Sequence, residues 1–218
     1  MIRKFAFITL ALATGFASAA QILPSKSFST NANDIYTYSF DQAQTGSYIL
    51  DFTFSFDGKV QNNDFLGVWF GNAGVAKNYE GPNFGFKANC NEQGTCTDDL
   101  FVRTQGTGGH FIAGSDLKEG ETYHLFAHLY KSTANGFYDR FDLWLNPTAT
   151  EMQTLTGADA SATEKSSLKS FDTIGIRTAN VDNGLTLNVN PAEVPEPGSV
   201  ALMGLALAGL SFIRRKRA

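Results

Sequence analysis

The chain has 218 residues, with 17 Lys+Arg against 21 Asp+Glu, 19 phenylalanines, 21 glycines and two cysteines. Two of the basic residues lie in the first four positions and four in the last five, so Ala20 to Pro197 keeps 11 basic and 21 acidic residues, a balance of −10. Such a body excludes nucleic acid and anionic lipid as broad partners, since both demand extended Lys/Arg surfaces; it is long enough to bury one sizeable core, and its Phe- and Gly-rich composition favours sheet over helix.

In chain order, Arg3 and Lys4 precede an apolar run from Phe5 to Phe16, and Ala17-Ser18-Ala19 closes it with small residues. A basic start, a short apolar stretch and an A-x-A site predict a secretory signal peptide over residues 1–19, removed by signal peptidase. The run is too short for a preferred membrane span of about 20 residues.

Strands are predicted next. Ile35 to Phe40 comes first, followed by the clearest periodic segment, Tyr48 to Phe56. Tyr48, Leu50, Phe52, Phe54 and Phe56 alternate with Ile49, Asp51, Thr53 and Ser55, which puts the first set on a buried face and the second on the outer one. Asp57-Gly58 marks a turn. Phe65–Phe70, Asn83–Ala88, Leu100–Thr104, Thr122–Tyr130, Phe137–Leu145, Phe171–Arg177 and Leu185–Val189 complete the set. Pro147 to Lys169, rich in Ala, Thr and Ser, reads as one long connection, with a helical turn as the alternative for Thr150 to Leu155. Short strands between Gly/Asn/Asp turns predict an all-β fold over residues 20–190, a two-sheet antiparallel jelly-roll sandwich, flanked by an N-terminal signal helix and a short C-terminal transmembrane helix.

Cys90 and Cys96 bracket a turn-like segment. In an exported chain the pair is expected to form a disulfide that pins a hairpin tip, with metal binding by the pair as the alternative.

Residues 191–218 are predicted as a linker and a sorting tail. Pro195-Glu196-Pro197 breaks regular structure. Val200 to Ile213 then carries no charge, and Arg214, Arg215, Lys216 and Arg217 follow as stop-transfer charges. As a helix the 14-residue run would span about 21 Å, short for a hydrocarbon core of about 30 Å. Triplet, short span and Arg-rich end, in that order, resemble the PEP-CTERM sorting signal. The resemblance implies a Gram-negative host and an exosortase that recognises Pro195-Glu196-Pro197. It also implies transient anchoring through the tail, residence in the cell envelope, outer surface or extracellular matrix, and a link to exopolysaccharide and biofilm. A plain anchor that is never processed is the alternative. Within the body, "TYHLFAHLYK", "RFDLWLNP" and "FDTIGIRT" resemble the strands of concanavalin A-like lectin/glucanase and laminin-G-like sandwiches.

No catalytic constellation emerges, and the chain is read as a non-enzyme. Hydrolases of the resembled fold carry two carboxylates on one strand, in E-x-D-x-E-type patterns absent here. Glu119 and Glu121 sit in a turn, and Asp139 and Asp142 fall on opposite faces. His124 and His128 share a strand face about 13 Å apart, too far to hold one ion. His110 follows a Gly-rich loop that lacks a Lys-Ser/Thr pair and a following helix, so a phosphate cradle is discarded. Saccharide contact is the best remaining chemistry, with Trp144 and Trp69 to stack on sugar rings and Asp64, Asn72 and Asn78 to accept from hydroxyls. No cofactor or metal centre is expected. Calcium stays open, because Asp98-Asp99 and Asn62-Asn63-Asp64 offer oxygen ligands without a defined loop. The reading is an exported matrix or surface protein that contacts exopolysaccharide; a purely structural or adhesive component and a divergent glycan-active enzyme are the alternatives.

Overall fold

The computed structural model describes residues 25–29, 35–73, 81–91, 96–106, 108–181 and 184–191. The expected signal peptide, Pro195-Glu196-Pro197, the apolar tail, its basic end and Asn78 lie outside the described residues.

Alternating side chains build the strands in order: β1 (Lys26–Phe28), β2 (Ile35–Gln44), β3 (Tyr48–Asp57), β4 (Phe65–Gly71), β5 (Asn83–Lys87), β6 (Leu100–Arg103), β7 (His110–Phe111), β8 (Thr122–Tyr130) and β9 (Arg140–Leu145). A short helix α1 (Ala149–Thr154) follows, then β10 (Ala160–Ala162), β11 (Phe171–Ala179) and β12 (Thr186–Pro191). They form two six-stranded sheets, ordered β1-β12-β3-β8-β9-β10 and β2-β11-β4-β5-β6-β7. Every pairing is antiparallel. The all-β, two-sheet sandwich is therefore as expected. Among the described residues no helix is long and apolar enough to cross a membrane.

The even positions of β3, read as the inward set, are all in the core, with Phe52 and Phe54 fully buried. They meet Leu66, Val68 and Phe70 of β4 and Phe84 and Phe86 of β5 from the opposite sheet. Rings make the join: Phe52 lies 5.5 Å from Phe84 and Phe54 6.5 Å from Phe86. Phe70 touches Tyr48, Phe84, Phe141 and Phe171 at 6.0, 6.5, 5.6 and 5.1 Å. Aromatic pairs at these separations add stability beyond the area they bury.

Three departures from the sequence reading concern short elements. β1, β7 and β10 are two or three residues long, and each is held by an edge pairing rather than by its own pattern. The Pro147–Lys169 stretch is not one plain connection. Thr148 caps α1 in a capping box, its hydroxyl accepting from the Glu151 amide while the Glu151 carboxylate accepts from the Thr148 amide. Leu155 ends the helix at φ 54°. Cys90 and Cys96 are joined in a disulfide, and their backbones pair as an isolated bridge between β5 and β6.

Phe70 joins four ring contacts across the sandwich, so Phe70→Ala is expected to cost about 3–5 kcal/mol, read as a fall in the urea midpoint of the purified protein. Phe70→Leu is expected to cost clearly less.

Candidate functional site

Once the core takes one side of each strand, the other side faces outward. On the sheet of β4, a cross-strand row runs Thr37, Gly175, Trp69, Asn83 and Arg103, beside a second row that includes Arg177, Gly67, Gly85 and Phe101. The chemistry of this face is unusual for an acidic body. The Arg103 guanidinium lies 4.7 Å from the Phe101 ring centroid and 5.9 Å from that of Phe65. Arg177 lies 5.5 Å from the Phe65 ring, and Phe65 and Phe101 stack at 5.6 Å. Arg103 Nε donates to Asn83 Oδ1 at 2.6 Å. The rings lie flat because glycines floor the sheet: a side chain at Gly175 would collide with the Trp69 indole, and one at Gly67 with Phe65.

Electrostatics mark the same place. Burial, and after it the positive charge of Arg177, pulls Arg103 down to about 10. It stays charged at neutral pH. The two guanidinium groups are close enough for their charges to act on one another. Arg103 is 8% exposed and Trp69 2%, and Trp69 Nε1 is buried with no hydrogen-bond partner.

The outer face of the β3 sheet differs. His124 Nε2 lies 2.6 Å from Asp51 Oδ1, and His128 Nε2 lies 3.0 Å from Ser47 Oγ. His128 stacks on Tyr130 at 4.4 Å, and Tyr130 hydrogen-bonds Asp142. Asp142 also accepts from Ser161 at 2.6 Å. The two histidines thus share a face but serve separate partners, as their spacing implied. Toward β1, Ser25, Ser27, Ser55, Asn188 and Asn190 line an open polar depression.

The residues expected to contact saccharide need correction. Trp144 is fully buried; the segment after α1 folds over it, and its Nε1 donates to the Thr156 carbonyl at 3.0 Å. Trp69 does face outward but lies flat on Gly175 and Gly71, almost without exposure. Neither ring offers a face to a sugar. Asp64 is 2% exposed and holds a turn, its Oδ2 accepting from the Gln61 amide at 2.6 Å. Asn72, half-buried at the end of β4, alone stays partly accessible. The four do not form one site.

The oxygen-rich turns are likewise engaged by backbone. Asp98 Oδ1 accepts from the Gly114 amide, Asp99 Oδ1 from Asn89 and Asn62 Oδ1 from Cys90. Among the described residues no three His, Cys, Asp or Glu side chains come together as a metal site. What sequence reasoning missed is the Arg103–Arg177 face. The available signal was the parity of Arg103 and Arg177, odd-numbered beside the apolar even positions Leu100 and Val102 of β6 and Ile174 and Ile176 of β11.

Residues 193–217 match the PEP-CTERM protein-sorting motif. The chain therefore carries the sorting signal of an exported bacterial protein anchored through its C-terminus. No curated protein matches the sequence. Among solved structures, a variant of alginate lyase Aly36B in complex with alginate trisaccharide is similar over 77% of this chain and 78% of its own, with 11% identity and a TM-score of 0.50. The Emp47p carbohydrate recognition domain is similar over 77% of this chain and 88% of its own, at 10% identity and a TM-score of 0.42. The VIP36 exoplasmic/lumenal domain in its Ca2+/Man3GlcNAc-bound form covers 71% and 73%, at 10% identity and 0.39. At such identities the likeness concerns the fold alone, a two-sheet sandwich.

Burial also pulls the His128 imidazole below its ordinary range, outweighing the opposing pull of the Asp142 carboxylate. Folding then favours the neutral ring. The stability this contributes is complete above the unfolded value of about 6.5 and is lost as pH falls from there through the lower folded value. His128→Gln is expected to flatten the decline of melting temperature between pH 7.5 and 5.5; an unchanged slope would locate the decline elsewhere.

Proposed function

We propose that the chain is a signal-peptide-exported, exosortase-processed protein of the outer surface or extracellular matrix. Its sandwich, residues 20–190, contacts an acidic exopolysaccharide without turning it over. The sorting motif at residues 193–217 supports export and C-terminal processing. The observation that carries the ligand is the outward pair of guanidinium groups, Arg103 and Arg177, set on the Phe65 and Phe101 rings. In a body of balance −10, cations held this closely on a sheet face suit a carboxylate. Arg presents a planar fork to it. Solved sandwiches of similar fold include a lyase holding an alginate trisaccharide and a carbohydrate recognition domain, which agrees with a glycan ligand.

The non-catalytic reading rests on placement. Acid–base chemistry on a bound sugar needs a proton-transfer group within hydrogen-bond reach of the reacting atom. The oriented pair Asp51–His124 is on the outer face of the opposite sheet, and sheets in a sandwich stack about 10 Å apart. A base on one face does not reach an anion held on the other.

The test is binding to polygalacturonate, with dextran as the neutral control, by the full chain and by Arg103→Gln and Arg177→Gln. Each variant is expected to weaken binding about 10- to 100-fold, since charged hydrogen bonds carry about 1.5–3 kcal/mol. Arg103→Lys is expected not to restore it, because an ammonium lacks the fork. Unaltered affinity in folded variants would refute the assignment, and depolymerisation of the polysaccharide would refute the non-catalytic reading.

A further inference from the structure

A second cationic cluster sits in the loops that follow β8 and β10. The Tyr138 amide donates to the Leu168 carbonyl and the Ser166 amide to the Tyr138 carbonyl, both at 2.9 Å, so the two loops run side by side. This pairing brings Lys165 and Lys169 onto one ring: their Nζ atoms lie 4.3 and 5.0 Å from the Phe137 centroid. Lys131, at the end of β8, donates to the Lys169 carbonyl at 2.5 Å and lies 4.7 Å from the Tyr138 ring. Lys165 and Lys169 are exposed, and Phe137 and Lys131 are half-buried.

The nearby acids are engaged elsewhere. Glu164 pairs with His110 at 2.7 Å and accepts from Thr104. Asp139 accepts from Ser132 and lies 3.5 Å from Arg140. Among the described residues no carboxylate lies within ion-pair distance of Lys131, Lys165 or Lys169. Three of the 11 basic residues of the body thus gather, uncompensated, in a region whose balance is −10. Their mutual cost is visible: the Lys131 ammonium is pulled below its ordinary range by desolvation and then by the charge of Lys169. Opposite charges are available in the body to neutralise them, and the fold does not use them.

We infer that Lys165 and Lys169 on the Phe137 ring, with Lys131 on the adjoining Tyr138 ring, form a docking point for a carboxylated polysaccharide. It is a second contact for the ligand class of the proposed function, and it stands on different side chains, so either can fail alone. A uronate polymer is favoured over a nucleic acid by the rest of the surface. Duplex DNA carries a charge about every 1.7 Å along its axis, so a small patch on an acidic body leaves most of its phosphates facing repulsion. A polyuronate has one carboxylate per sugar, and a short stretch satisfies the patch.

The experiment measures binding of the full chain to polygalacturonate across a salt titration, with single-stranded DNA and phosphatidylglycerol vesicles as competitors. Lys165→Gln/Lys169→Gln is expected to weaken binding about 3- to 10-fold and to lower the salt dependence, the range for a pair of exposed ionic contacts. Lys165→Arg/Lys169→Arg is expected to keep both. Phe137→Ala, which leaves the charge unchanged but removes the ring that gathers the ammonium groups, is expected to weaken binding less than the double Gln variant. The inference is overturned if the double Gln variant retains wild-type affinity and salt dependence. It is also overturned if DNA or vesicles displace polygalacturonate at equal charge concentration. Loss on Arg103→Gln without loss on the lysine variant would leave the proposed function standing and this docking point refuted; the reverse would refute the first and support the second.

Discussion

The structure depends on rings meeting rings across the gap between two sheets. Phe52 and Phe54 on one side face Phe84 and Phe86 on the other, and Phe70 ties Tyr48, Phe141 and Phe171 into the same layer. Because side chains alternate along a strand, a slip of one residue would move this whole set to the outer face. The aromatic layer therefore sets register as well as stability. Every outward position is fixed as a consequence, including positions that contribute nothing to the core.

That consequence produces the Arg103–Arg177 face. Arg103, Asn83, Trp69 and Gly175 lie on one row because their strand neighbours Val102, Phe84, Phe70 and Ile174 are locked inside. Two large rings can then lie flat only where the floor has no side chains, which Gly67 and Gly175 provide. Arg103 and Arg177 both lie over the Phe65 ring, and Arg103 over Phe101 as well, so two like charges sit close together on partly desolvated ground.

Much of this was legible in the chain. Tyr48 to Phe56 alternates so regularly that its inward set could be named residue by residue, and Thr122 to Tyr130 is bounded as read. Cys90 and Cys96 are close in sequence, in a segment otherwise rich in turn residues. The misses share a cause. β1, β7 and β10 carry too few residues for a period to show, and pairing to a neighbour creates them. The α1 cap was readable, since Thr148 and Glu151 stand at capping-box spacing, but the Ala/Thr/Ser composition around them concealed it. Trp144 was misjudged for a different reason. Strand parity assigns it correctly to an outer face, yet burial there is decided by a distant segment, and the return of the chain after α1 to place Thr156 over the indole has no local signature.

Charge at two length scales ties the body to its cationic clusters. Summed over the domain the field is negative, and it opposes approach of any polyanion. At physiological ionic strength the screening length is about 8 Å, so this opposition fades beyond the nearest charges. Contacts made within a few ångströms survive, especially where water is partly excluded. Arg103 meets that condition by burial, Arg177 by half-burial beside the Phe65 ring, and Lys165 and Lys169 by sharing the Phe137 ring. An acidic surface with such local exceptions discriminates against densely charged polymers, which meet repulsion at every unmatched charge. It admits those with widely spaced charges and apolar sugar faces. Net acidity and the proposed acidic ligand are thus compatible: on that proposal the first supplies the selectivity, and the gathered cations the attachment.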